Sequence, residues 1–134
     1  MLPDSAVERL ADADLKLEWS DQHIRNLADA ISAVAPYELR KDSHTPPGLS
    51  RVVSPPIPPH LVLIACDAAH NIRIALDYLV CALAELNGKT ASGVSFPVAA
   101  DVDEFMKPQC QDKIRKLSTA GKGFINGLKP YKRG

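Results

Sequence analysis

The chain has 134 residues, with 16 Lys+Arg balanced by 16 Asp+Glu, 46% hydrophobic and 24% charged. Length and composition describe one soluble globular domain and exclude a disordered or fibrous chain. The zero net charge hides a split: residues 1–106 carry 8 basic and 15 acidic side chains, and residues 107–134 carry 8 basic and 1 acidic.

Met1 to Leu10 contains acids and lacks the apolar run of a signal peptide. Leu10, Ala13, Leu17, Ser20, Ile24, Leu27, Ile31 and Val34 recur at 3-4 spacing, which predicts one long amphipathic helix over residues 4–35. Asp4, Glu8, Asp12 and Asp14 suit the positive end of its dipole, and Pro36 is its expected stop. Trp19 falls off this seam and is expected to pack against another element. The heptad-like spacing also suits a homodimer.

Residues 36–59 hold 7 of the 11 prolines. Within them Tyr37–Arg40 and Ser50–Val53 read as two short strands, joined by a turn-rich connection from His44 to Gly48. Pro55, Pro56, Pro58 and Pro59 form a stiff lead-in, with Pro59 suited to the first turn of the next helix. That helix is predicted over residues 60–87, with Gly88 as a left-handed stop. Leu61, Ile64, Ala65, Ala68, Ile72, Ala75, Leu76, Leu79, Leu83 and Leu86 give it a broad apolar face. Leu63, Ile74 and Cys81 lie on its other side, so it is expected to be buried nearly all round. Asp67, His70, Asn71, Arg73 and Asp77 interrupt its apolar run, which excludes a simple membrane span.

Beyond the loop, Phe96-Pro97-Val98 reads as a short extended anchor, and Asp101 with Glu104 has capping-box spacing. Pro108 is expected to start another helix lined by Cys110, Ile114 and Leu117. Phe124, Ile125 and Leu128 extend the packing beyond a break at Gly121/Gly123. The whole is thus a mainly α bundle: two long antiparallel helices, a small Pro-rich β-hairpin between them, and a basic C-terminal closure over residues 88–134.

The three cysteines, Cys66, Cys81 and Cys110, form no CxxC or His/Cys ligand spacing, so neither a metal site nor another cofactor is expected. Cys66 and Cys81, if on one helix, lie about 22 Å apart along its axis and cannot bridge. Buried, reduced thiols in a cytoplasmic protein are the expectation.

The polar cluster of the central helix carries the candidate chemistry. His70, Arg73 and Asp77 fall within about 60° on a helical wheel, with Asp67, Asn71 and Tyr78 in a neighbouring strip. The pairs Arg73–Asp77 and His70–Arg73 are at contact spacing. Three readings are open. In the first, Arg73 and Asp77 form an internal ion pair while Asp67, His70 and Asn71 hold loop backbone. In the second, His70 and Arg73 face a cleft and bind or cleave an anionic substrate. In the third, the cluster lies in a partner interface.

The run Cys66-Asp67-Ala68-Ala69-His70-Asn71-Ile72-Arg73-Ile74-Ala75-Leu76-Asp77-Tyr78-Leu79-Val80 resembles the signature helix of a bacterial and phage helical family, patterned G-D-x-x-H-N-L-R-x-A-L-D-H/Y-L. The Pro-rich lead-in, Phe96-Pro97 and Leu128-Lys129-Pro130-Tyr131 match its layout. That family has no established activity to carry over. Its members continue past the Pro-Tyr element, so the resemblance implies either a short variant or a core completed by a partner. A weaker resemblance is to the HEPN helical ribonucleases, whose motif Arg is followed on the same helix by a His. Here Arg73 is followed after four residues by Tyr78, a poor acid/base group near neutral pH.

Lys113, Arg115, Lys116 and Lys122 in the basic end are candidate RNA contacts, or a solvated face complementary to the acidic first helix. The leading expectation is a non-enzymatic interaction protein of bacterial or phage origin, acting as a homodimer or on a host or partner protein. The alternative is a HEPN-like ribonuclease or RNA-binding toxin-type module using Arg73 with His70 or Asp77.

Overall fold

The computed structural model describes residues 2–34, 37–41, 44 and 46–131. In chain order the elements are α1 (Asp4–Ser32), β1 (Glu38–Arg40), β2 (Arg51–Val53), α2 (Pro59–Leu86), α3 (Val102–Met106), α4 (Pro108–Gln111) and α5 (Thr119–Leu128). A 3-10 turn, Asp112–Ile114, follows α4 directly. The fold is mainly α, with two long helices packed together and a two-stranded antiparallel hairpin between them. No helix among the described residues is long and apolar enough to cross a membrane.

α1 ends at Ser32, and the expected stop at Pro36 lies outside the described residues. β1 and β2 pair with Leu39 opposite Val52, and five of the six strand residues are exposed. α2 opens with Pro59 in its first turn, where the missing N–H has no helical partner to lose. Gly88, at φ +68°, takes the left-handed turn just past its end.

Two side-chain bonds fix how the long helices meet. The Ser20 hydroxyl donates to the Ala68 carbonyl at 3.0 Å, and Arg9 Nε meets Glu85 Oε1 at 3.0 Å. Rising numbers on α1 pair with falling numbers on α2, so the helices are antiparallel. The line of Ala6, Ala13 and Ser20 is buried on α1, and Leu61, Ala68, Ala75 and Ala82 are buried on α2. Both lines repeat every seventh residue, and the Ser20–Ala68 bond sets Ala13 opposite Ala75 and Ala6 opposite Ala82. Small side chains therefore stand between the helices. A hydroxyl on one reaches the backbone of the other only because the axes approach closely.

This corrects the seam read from the sequence. Its Ala13–Ser20–Leu27–Val34 half faces α2, while Leu17, Ile24 and Ile31 stay exposed. Trp19, expected to pack against another element, is exposed instead. Its ring lies 6.0 Å from that of His23, one turn along the same helix, and the residue is 55% exposed.

Covering of α2 is confined to its second half. Every residue from Arg73 to Glu85 is buried or half-buried, whereas from Pro59 to His70 only Leu61, Ile64 and Ala68 are shielded. The expected all-round burial fails because the closure, residues 88–131, lands on one end. There Val80 and Ala84 of α2 join Val94, Phe96, Ile114, Leu117 and Ile125 in the aliphatic core. A second cluster joins Ala99, Phe105 and Cys110 with Tyr131, whose ring sits 5.5 Å from that of Phe105.

Two of the short helices in the closure, α3 and α5, carry side-chain caps. Asp101 accepts from the Glu104 N–H at 2.8 Å, and Glu104 reaches back to the Ala100 N–H at 2.6 Å. Ser118 caps α5 through the Gly121 N–H. Gly121 and Gly123 do not break the chain but lie inside α5, where a Cβ at Gly121 would stand 3.3 Å from that of Leu117. Ile125 is buried as expected, while Phe124 and Leu128 turn outward.

The close approach sets a stability test. Ala75→Leu, which forces a larger group between the backbones, is expected to lower unfolding stability by about 1–3 kcal/mol. Ala65→Leu, at an exposed position of the same helix, should stay within about 0.5 kcal/mol. Equal urea midpoints for the two variants would contradict the small-residue seam.

Candidate functional site

Five of the cluster's side chains divide between local ties and solvent. Arg73 Nε meets Asp77 Oδ2 at 3.3 Å, both about one-third exposed. The other oxygen of Asp77 accepts the Phe96 N–H at 2.7 Å, where the closure chain passes the helix. Asn71 turns back to its own helix, donating to the Asp67 carbonyl at 2.9 Å. Asp67 and His70 are exposed, and among the described residues no bond joins His70 to Arg73. Loop backbone is thus held by Asp77, not by Asp67, His70 or Asn71 as the first sequence reading had it. Tyr78 is half-buried. Among the described residues, no group of three or more His, Cys, Asp or Glu is placed to hold a metal ion.

The basic end is tied in the same way. Lys116 donates to the Thr90 carbonyl at 3.3 Å, the Thr90 hydroxyl at 3.1 Å and the Ser92 carbonyl at 2.6 Å. Its own carbonyl accepts from Asn87 Nδ2 at 2.9 Å. Lys113 and Lys122 are half-buried and Arg115 is exposed. Lys116 therefore ties the loop after α2 to the segment just before α5.

Beside the small-residue seam the helix pair has two unlike flanks. One carries Arg9, Lys16, His23 and Ala30 of α1 and Ile64, Asn71, Tyr78 and Glu85 of α2, each set repeating every seventh residue. All eight are half-buried. The hydrogen bond to Glu85 raises the Arg9 pKa above its ordinary value, against a smaller opposing effect of burial. The other oxygen of Glu85 is buried and has no hydrogen-bond partner among the described residues.

The opposite flank carries Leu10, Leu17, Ile24 and Ile31 of α1 and Ala65, Ile72, Leu79 and Leu86 of α2. It is entirely apolar, yet all but Leu10 and Leu79 are exposed. Toward the open end of the helix pair it deepens into a groove of about 640 Å³. Leu27, Ile31 and Val34 form one wall, Pro55 to Pro58 the end, and Leu61 with Val62, Ala65, Cys66 and Ala69 the other wall. No charged residue lines it. Ile57 at its end is 72% exposed, and Leu17, Ile24 and Ile31 are 47%, 48% and 55% exposed. The sequence reading missed this flank because it placed both halves of the α1 seam in the core. The available signal was size: the line through Ala6, Ala13 and Ser20 is small, and its neighbour through Leu10, Leu17, Ile24 and Ile31 is large.

The thiols follow the same geometry. Cys66 is exposed at the groove, contrary to the expected buried filler, while Cys81 is half-buried and Cys110 buried. Burial pushes the Cys81 thiol up, outweighing the opposing effect of Arg9.

The chain matches no family model, and neither a curated protein nor a solved structure matches it at a significant level.

Two measurements follow. Asp77→Ala is expected to cost about 1–3 kcal/mol, because it strands the buried Phe96 N–H. Asp77→Asn, which keeps an accepting oxygen, should cost distinctly less; equal losses would remove the loop tie. In thiol titration near pH 8, Cys66 should react well ahead of Cys81. A raised pKa leaves less of the reactive thiolate at Cys81, and burial blocks access to it. Equal rates for the two would contradict this placement.

Proposed function

We propose that this is a non-enzymatic interaction protein whose working surface is the apolar flank between α1 and α2. One observation carries the reading: the polar flank of the helix pair is half-buried along its length while six of the eight apolar-flank residues are exposed. An isolated domain gains by the reverse arrangement, since covering aliphatic groups stabilises by about 25 cal/mol per Å². Open apolar patches of this kind are a recurrent mark of protein contact surfaces. The homodimer expected from the heptad spacing is one form of this reading.

The polar cluster then has a structural part, with Arg73 steadying Asp77 and Asp77 holding the closure chain.

Two experiments test the proposal. A photo-crosslinker at Ile24, on the open flank, should yield protein–protein adducts, and one at exposed Gln22 should not; no adducts, or equal adducts from both, would overturn it. Purified protein incubated with RNA should leave it intact. Cleavage that disappears in Arg73→Ala at unchanged Tm would replace this reading with the ribonuclease alternative.

A further inference from the structure

We infer that the partner seated on the open flank is a second copy of this chain, packed with α1 of each copy over α2 of the other. The inference rests on the reading of that flank as a contact surface and names its occupant.

Three features support it. First, the flank is self-complementary in kind. It presents two antiparallel apolar stripes at heptad spacing, and a two-fold axis along the helices turns two such pairs into a four-helix bundle. Every neighbouring helix in that bundle is then antiparallel, as α1 and α2 already are.

Second, the area is of the right size. Leu17, Ile24, Ile31, Ile57, Val62 and Ile72 are 37% to 72% exposed. Together they leave on the order of 600 Å² uncovered, against ~800 Å² per partner in a standard interface. The alanines and edge residues around them supply the remainder.

Third, the charges select the pairing. Along the outer edge of the α1 stripe, the line Val7, Asp14, Asp21 and Ala28 carries two acids, of which Asp21 pairs with Arg25 one turn on at 2.6 Å. Along the outer edge of the α2 stripe stand Val62, Ala69, Leu76 and Leu83, all uncharged, with Arg73 on the next line round the helix. Packing α1 over α1 sets acid against acid, whereas packing α1 over α2 sets it against Arg73. The guanidinium meets Asp77 through Nε and keeps further donors for a second carboxylate. The same arrangement brings the basic closure of one copy to the acidic first half of α1 in the other.

Analytical ultracentrifugation of the full chain at tens of micromolar tests this. The wild type should sediment at twice the chain mass, and Ile24→Asp at the chain mass with its helical circular dichroism retained and a Tm that no longer rises with protein concentration. Asp14→Arg/Asp21→Arg should weaken the dimer at least tenfold, and Asp29→Arg, off this edge, should not. A dimer indifferent to the Asp14/Asp21 reversal overturns the pairing. A monomeric wild type overturns the second copy as occupant. In that case, binding of an apolar fluorescent dye that is lost in Ile24→Asp keeps the contact-surface reading, and absence of dye binding removes that as well.

Discussion

The Ser20 hydroxyl reaches the carbonyl of Ala68 on the facing helix, and much of the molecule follows from the distance that this bond requires. Two backbones can approach so closely only where the side chains between them are small. Ala6, Ala13, Ser20, Ala68, Ala75 and Ala82 meet that condition over most of the shared length of α1 and α2. Larger residues next to this line have no room between the axes and are displaced to the two flanks. The seam is therefore well ordered but poor in buried area, since an alanine methyl contributes only about 0.8 kcal/mol.

The greater part of the aliphatic burial sits elsewhere. It lies where residues 88–131 fold onto the second half of α2 and enclose Val80, Phe96, Ile114, Leu117 and Ile125. Polar side chains hold that closure in register. Asp77 accepts from the Phe96 N–H, Asn87 donates to the Lys116 carbonyl, and Lys116 donates to oxygens of Thr90 and Ser92. Each satisfies backbone groups of a loop that has no secondary structure to do so. The molecule thus has one enclosed end and one open end, and the 640 Å³ groove belongs to the open one.

Much of the local structure was legible. The 3-4 spacing located α1, Pro59 and Gly88 marked the limits of α2, and Asp101 with Glu104 marked the start of α3. The i,i+4 pair Arg73–Asp77 also forms as its spacing allows. The phase of the long seam was not legible, because both Leu10–Leu17–Ile24–Ile31 and Ala13–Ser20–Leu27–Val34 satisfy an amphipathic pattern. Apolarity does not distinguish the line that goes between two backbones from the line left beside them. The role of Asp77 was equally hidden, since its partner is a backbone N–H nineteen residues on, and backbone groups leave no mark in the sequence.

The sequence by itself determined the helices, their limits and the uneven distribution of charge, because periodicity, capping, Pro and Gly act within a few residues along the chain. Tertiary structure decided which apolar line is covered and which stays open. That choice depends on the interaxial distance set by residues far apart in sequence, and on where the closure lands. Neither quantity is local, and it is their combination that leaves an aliphatic flank largely exposed while the polar flank is half-buried.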